Sequence, residues 1–123
     1  MLMRIVVAPQ AFKGSLGAFQ VSNAIKEGII RVFPKANIII TPMADGGDGT
    51  LEVLVNGTNG QTHASMVMGP LSKRVEALWG VLGDGNTAVV EMARASGLAL
   101  ISREQQDPLI TTTYGTGELI KAA

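Results

Sequence analysis

Two carboxylates and three glycines fill the five consecutive positions Asp45-Gly46-Gly47-Asp48-Gly49. The cluster follows the apolar run Ile38-Ile39-Ile40 and lies between Pro42 and Thr50. Glycine lets the backbone adopt conformations closed to other residues and approach a ligand closely. A carboxylate can hold a divalent cation or take a proton from a substrate hydroxyl. Asp45 is therefore a candidate for metal binding and for general-base chemistry. Gly46, Gly47 and Gly49 are candidates for backbone contacts to an anion. The plain alternative is a tight turn capped by Asp or by Thr50. An EF-hand calcium loop does not fit. Counted from Asp45, its third and fifth positions hold Gly47 and Gly49 where oxygen ligands are required.

Two further loops have a suitable composition. Lys13-Gly14-Ser15 stands between an expected strand and an expected helix. Unpaired amides at a helix start attract phosphate or carboxylate; Lys13 would add a charge and Ser15 a hydroxyl. The alternative is an ordinary turn with Ser15 as N-cap. No Gly-x-x-x-x-Gly-Lys-Ser/Thr phosphate loop exists in the chain. Near the C-terminus, Thr111-Thr112-Thr113-Tyr114-Gly115-Thr116-Gly117 is expected to precede a helix. An anion site and a Thr116 N-cap are equally open there. Glu91, set in Val89-Val90-Glu91-Met92, is either on an exposed strand face or poised at a site. His63 reads as a surface strand residue, Asp84 as a turn residue, and Trp79 as packing.

These residues need elements to hold them. Ile5-Val6-Val7-Ala8, closed by Pro9, suits a buried strand. Val21, Ile25, Ile29 and Val32 recur at helical spacing, predicting a helix from about residue 18 that Pro34 stops after Phe33. Ile38–Thr41 reads as a second strand. Thr50 is expected to cap a helix carrying Leu51, Leu54 and Val55, ending near Gly57 or Gly60. The order β-α-β-α over 1–60 is that of a doubly wound parallel sheet, so the fold class is α/β. Beyond it, 62–68, 75–82 and 87–92 read as antiparallel strands, with a hairpin turn at Gly83-Asp84-Gly85-Asn86. Glu91–Ser96 is expected to turn into a short helix ended by Gly97, and 98–107 to be mostly loop. The expected organisation is a Rossmann-like start over 1–60 and a β-rich segment of a second domain over 61–123. The final helical segment, 118–123, is short of the ~12–15 residues an isolated helix needs. A fragment of a longer element is therefore expected.

Bulk composition narrows the class. At 123 residues and 46% hydrophobic, the chain can bury a core, and at 16% charged it is not a disordered segment. Ten basic residues balance ten acidic ones without a basic block, so no nucleic-acid or anionic-membrane partner is expected. No apolar run approaches the ~18 residues of a membrane span, and the start reads as a strand, not a signal peptide. The absence of cysteine excludes disulfides and thiolate metal sites and suits a cytoplasmic location. An incomplete sheet would expose edges and apolar surface, so homo-oligomerisation or other association is expected.

Taken together, five blocks carry a resemblance. They are Ala8-Pro9 with Phe12-Lys13-Gly14-Ser15-Leu16, then Pro42 to Thr50, then Gly69-Pro70-Leu71, then Val90-Glu91-Met92-Ala93 with Ala95-Ser96-Gly97-Leu98, and finally Pro108-Leu109 with Thr111 to Ile120. In order and spacing they resemble the bacterial-type (type 1) glycerate kinases across essentially the whole chain. The resemblance implies a two-domain α/β enzyme, with one Rossmann-like domain and one mixed α/β domain. It implies ATP- and Mg²⁺-dependent phosphorylation of D-glycerate, most often to 2-phosphoglycerate. Members are longer than this chain, so it resembles an N-terminal portion.

In that light Lys13 and Ser15 are expected to meet an anionic group, glycerate carboxylate or nucleotide phosphate. Asp45 is expected to serve as base or Mg²⁺ ligand. Gly46, Gly47 and Gly49 would admit backbone amides to the ligand. Thr113, Gly115, Thr116 and Gly117 would form further cleft wall, with Glu91 an outlying candidate. The chain departs from the family's Pro-Asp-Ser-Phe-Lys-Gly-Ser loop at Gln10 and Ala11, losing a carboxylate and a hydroxyl. Asp48 stands where Glu is usual. The rival expectation, a non-catalytic α/β binding module or an inactive kinase remnant, rests on those two changes and on the missing downstream half.

Overall fold

A computed structural model describes residues 3–123. It is α/β, and the chain divides into two compact units, 1–45 and 46–123. Among the described residues no helix is long and apolar enough to cross a membrane.

The first unit is one β-α-β turn. Strand β1 (Arg4–Val7) pairs in parallel with β2 (Asn37–Ile40), in the register Arg4↔Asn37 to Val7↔Ile40. Parallel neighbours need a crossover, supplied here by helix α1 (Ala18–Val32). The helix buries Ala18, Val21 and Ser22, and the Ser22 hydroxyl donates to the Ala18 carbonyl at 2.8 Å. That back-bond satisfies a fully buried polar side chain within its own helix. Phe33 closes α1, and its backbone (φ −125°, ψ 71°) has left the helical region, as a residue before proline is pushed to do. Backbone bonds prolong the parallel alignment past the strands, from Thr41 N to Val7 O at 2.8 Å and from Met43 N to Pro9 O at 2.9 Å. Val7 is buried, but the register partners Val6 and Ile39 share the other face and remain 60% and 40% exposed.

The second unit packs helices on an antiparallel sheet. Its elements are α2 (Thr50–Thr58), β3 (Gln61–Met68), β4 (Arg74–Val81), β5 (Ala88–Val90), α3 (Met92–Ser96), two short 3₁₀ turns and α4 (Tyr114–Ala122). Strand order is β3-β4-β5. The β3–β4 turn closes through Gly69 N to Lys73 O at 2.7 Å. The β4–β5 turn is the expected one: Asp84 accepts from Asn86 N and Thr87 N, each at 2.9 Å, and from the Thr87 hydroxyl at 2.6 Å. The Thr87 hydroxyl foremost, then the Asn86 and Thr87 amides, hold the Asp84 carboxyl below its ordinary value. The core joins Val67, Ala77, Ala95 and Leu119, with Val75, Trp79 and Val90 against it. His63 is half-buried rather than a free surface residue, because its ring stacks on Trp79 at 4.6 Å.

Glycines set how closely the helices approach. A Cβ on Gly80 of β4 would run into Val55 of α2 and lie 3.0 Å from Leu51 Cδ1. The bare strand at Gly80 thus receives the buried face of α2. This packing of α2 on β4 lies within the second unit, 46–123.

Candidate functional site

In the first unit the site begins with strand direction. Because β1 and β2 are parallel, the loops that leave them, 8–17 and 41–45, start from the same carboxyl edge of the sheet. Ligands of open α/β sheets bind outside the carboxyl ends of strands. The bond from Met43 to Pro9 keeps the two exits side by side. Lys13 and Asp45 belong to these adjacent loops, and both are exposed.

Lys13 sits in a tight turn. Phe12 and Leu16 exchange backbone bonds at 2.8 and 3.2 Å, and Ser15 returns both its amide and its hydroxyl to the Phe12 carbonyl, at 2.8 and 3.1 Å. Gly14, at φ +73°, makes the reversal. Ser15 is therefore a turn residue and not the N-cap of α1. Gly17 holds that position, and its amide donates to the Gln20 side chain at 3.0 Å. Gln10 is exposed and Ala11 half-buried in the same loop.

The Gly-Asp loop continues into the second unit. Gly46 and Gly49 adopt φ +91° and +90°, which a side-chain-bearing residue rarely does. The N-cap of α2 is Gly49, while Thr50 is the first helical residue. The Thr50 hydroxyl reaches back to accept the Gly46 amide at 2.9 Å, so it braces the loop instead of capping the helix. The amides at the head of α2 do have a partner. Glu91, only 5% exposed, accepts Leu51 N at 2.9 Å through one carboxylate oxygen and Gly49 N at 3.2 Å through the other. Arg94 Nε lies 3.3 Å from the Gly49-bonded oxygen. That contact is an ion pair without hydrogen-bond alignment. A buried carboxylate is tolerable only when paired and bonded, and the helix start supplies positive potential as well.

The threonine-glycine segment enters helix at Tyr114, after the non-helical Thr111, Thr112 and Thr113. Thr113 precedes α4, and Gly115, Thr116 and Gly117 lie in its first turns, so Thr116 is not an N-cap. Gly115 is buried because a Cβ there would overlap the Met68 carbonyl of β3. Thr116 shares a 2.8 Å hydroxyl bond with Ser96 of α3. Gly117 is exposed, and a methyl group there would meet open space. Short α3 thus links two of the three predicted regions. Glu91 and Arg94, at its start, hold the Gly-Asp loop, and Ser96, at its end, holds α4.

The Glu91 carboxylate reaches the start of α2 from outside that helix. Its sequence signal was a lone acid in an apolar stretch, a residue type that must find a partner if buried. Glu118 does comparable work on α4, accepting Met68 N at 2.6 Å and pairing with Arg74 at 3.1 Å. An open depression at the far end of α2, near Asn59, Gln61, His63 and Gly83, includes none of the predicted site residues. Among the described residues no group of three or more His, Cys, Asp or Glu side chains converges to hold a metal. Asp45 and Asp48 remain hard oxygen donors, suited to a cation whose other ligands come from water or a bound phosphate.

The molecule is thus an α/β protein with glycine-rich, charged loops at the carboxyl edge of a parallel β-α-β turn. Residues 5–123 match the glycerate kinase family, and the chain belongs to that family. It is 50% identical over 121 residues to glycerate 2-kinase of Escherichia coli K12, and 52% identical over 121 residues to glycerate kinase of Bacillus subtilis 168. In both cases 98% of this chain matches 32% of the relative, so the chain spans about a third of their length. A crystal structure from Salmonella typhimurium LT2, provisionally described as glycerate kinase 2, superposes with a TM-score of 0.75 at 46% identity. The match covers 99% of this chain and 33% of that one.

Proposed function

We propose that this chain is the N-terminal part of an ATP-dependent glycerate kinase that forms phosphoglycerate, with the 2-phosphate as product. The observation that supports this most is the shared carboxyl edge carrying the Lys13 and Asp45 loops, in a chain of this family. The relative named glycerate 2-kinase supports the choice of product. The Rossmann-like domain would begin with β1-α1-β2, and the antiparallel unit would belong to the second domain.

In the reaction a glycerate hydroxyl oxygen bonds to the γ-phosphorus of ATP, the bond to the ADP oxygen breaks, and the hydroxyl proton passes to a base. Positioning and charge neutralisation carry most of such a transfer. Lys13 would neutralise an anionic group, with the Ser15 hydroxyl beside it in the turn. Asp45 would take the proton or hold Mg²⁺. Its exposed carboxylate on a glycine loop fits a cation that binds through one or two carboxylates and the nucleotide phosphates. When bound, the cation would offset charge on the phosphates. Gly46, Gly47 and Gly49 would keep the loop free of side chains. Thr113, Thr116 and Gly117 would be ligand contacts at the head of α4, with Gly115 seating that helix.

A non-catalytic remnant is the second reading, favoured by Gln10 and Ala11 where the family pattern has Asp and Ser. ADP release in a coupled assay with D-glycerate, Mg²⁺ and ATP separates the two. It is run on this chain and on a version extended to a relative's length. Turnover by the extended version supports the kinase. No turnover, with none restored by Gln10→Asp and Ala11→Ser together, leaves the remnant.

A further inference from the structure

We infer that Glu91 is a positioning residue: it serves as an internal anion at the head of α2 and thereby fixes the Gly-Asp loop. The inference rests on the proposed catalytic use of that loop and assigns the α2 N-terminus a different task from ligand binding. A helix start draws anions because its first amides lack partners. Here two of the amides in question, Gly49 and Leu51, already face a carboxylate from 40 or more positions away. The carboxylate is 5% exposed and has Arg94 beside it. A glycerate carboxylate or a nucleotide phosphate arriving at this end of α2 would have to displace Glu91. The anion of the substrate is therefore held elsewhere, and Lys13 is the cation the loops offer.

Fixing the loop is not incidental. Gly46 and Gly49 give it backbone freedom, and two devices remove that freedom. The Thr50 hydroxyl holds Gly46 at the loop's middle, and Glu91 holds Gly49 at its end. Loss of Glu91 would release the residues directly following Asp45, and misplacement on the scale of 1 Å can cost about 10²-fold in rate.

The test measures amide hydrogen exchange on the 123-residue chain, comparing Glu91→Gln and Glu91→Ala with the parent. In Glu91→Ala, exchange at both Leu51 and Gly49 should rise roughly 10-fold or more, the scale of a lost hydrogen bond to a charged group. In Glu91→Gln, which keeps one acceptor oxygen, it should rise at one of the two. Val67 and Ala77 in the core should keep their protection. Acetate, added to Glu91→Ala as a free carboxylate, should restore protection at Leu51. Unchanged exchange at Leu51 in both variants overturns the inference. If Glu91→Ala does not fold, Glu91→Gln carries the measurement alone: its single carbonyl oxygen can accept only one of the two amides, so exchange should rise at Leu51 or at Gly49, and no rise at either overturns the inference. In an active extended version, Glu91→Gln should lower kcat about 10–100-fold and leave the KM values for ATP and glycerate within about threefold. An unchanged kcat with a raised KM would instead make Glu91 a ligand contact and overturn the positioning role. Absence of activity in the parent would count against the kinase reading, while the exchange result would still decide what Glu91 holds.

Discussion

The carboxylate of Glu91 accepts the backbone amide of Leu51 at 2.9 Å across 40 positions of sequence. It joins the end of β5 to the start of α2, and so ties the antiparallel sheet to the Gly-Asp loop. Both ends of the contact are buried, where a lost partner is felt in full.

Glu91→Ala should therefore destabilise the protein by about 2–4 kcal/mol, since it removes two charge-assisted bonds and leaves Arg94 without its counter-ion. Urea unfolding followed by tryptophan fluorescence would measure it through Trp79. A change below about 0.5 kcal/mol, the range of an ordinary surface substitution, would show that the contact adds nothing.

Two glycines of α4 should respond in opposite directions. Gly115→Ala places a methyl group on the Met68 carbonyl and must push α4 off β3, lowering the melting temperature. Gly117→Ala meets no atom and gains helix propensity, raising stability by about 0.5–1 kcal/mol. If Gly117 faces a ligand in the extended enzyme, the same variant should raise KM although it is more stable.

Leu119 has no exposed surface and packs with Val67, Ala77 and Ala95. Leu119→Ala should cost about 2–5 kcal/mol, with the exact loss set by how far the cavity collapses. Calorimetry of the variant against the parent is the check.

Acid should weaken the β4–β5 turn through Asp84. The hydrogen bonds it accepts hold its carboxyl below the ordinary 3.8. The unfolded chain therefore binds the proton more readily, and the contribution is fully present above the ordinary value. It is lost as pH falls from there through the lower folded value. A carbon-13 NMR titration should place the Asp84 midpoint below 3.8. In Asp84→Asn the acid-dependent part of the turn's protection should vanish, and a midpoint at or above the ordinary value would refute the effect.

In an active extended version, Asp45→Asn should lower kcat about 10²–10⁴-fold if Asp45 is the base. Lys13→Ala should raise KM for whichever anion it meets. Steady-state kinetics with each substrate varied in turn decide both. Full kcat in Asp45→Asn would remove Asp45 from the chemistry.

The elements that follow from local physics were legible in the sequence. Val21 and its helical neighbours marked α1, Pro34 marked its end, and Gly83-Asp84-Gly85-Asn86 marked the β4–β5 turn. The five blocks marked the family as well, because motif order is a property of sequence alone. Caps were less legible. Thr50, Ser15 and Thr116 all have good capping side chains, yet Gly49, Gly17 and Thr113 hold the positions. A hydroxyl can bond to several nearby backbone groups with similar gain, and its choice depends on which of them the fold leaves unpaired.

Glu91 lay beyond that reach for a different reason. Its sequence neighbours are apolar, and its partners Gly49 and Leu51 stand 42 and 40 positions away. So the chain by itself determined the α/β order, the charged glycine loop and the family. Only the tertiary structure decided that the head of α2 is closed by the protein's own carboxylate, because desolvation and partner geometry exist only once the sheet has brought β5 to that helix.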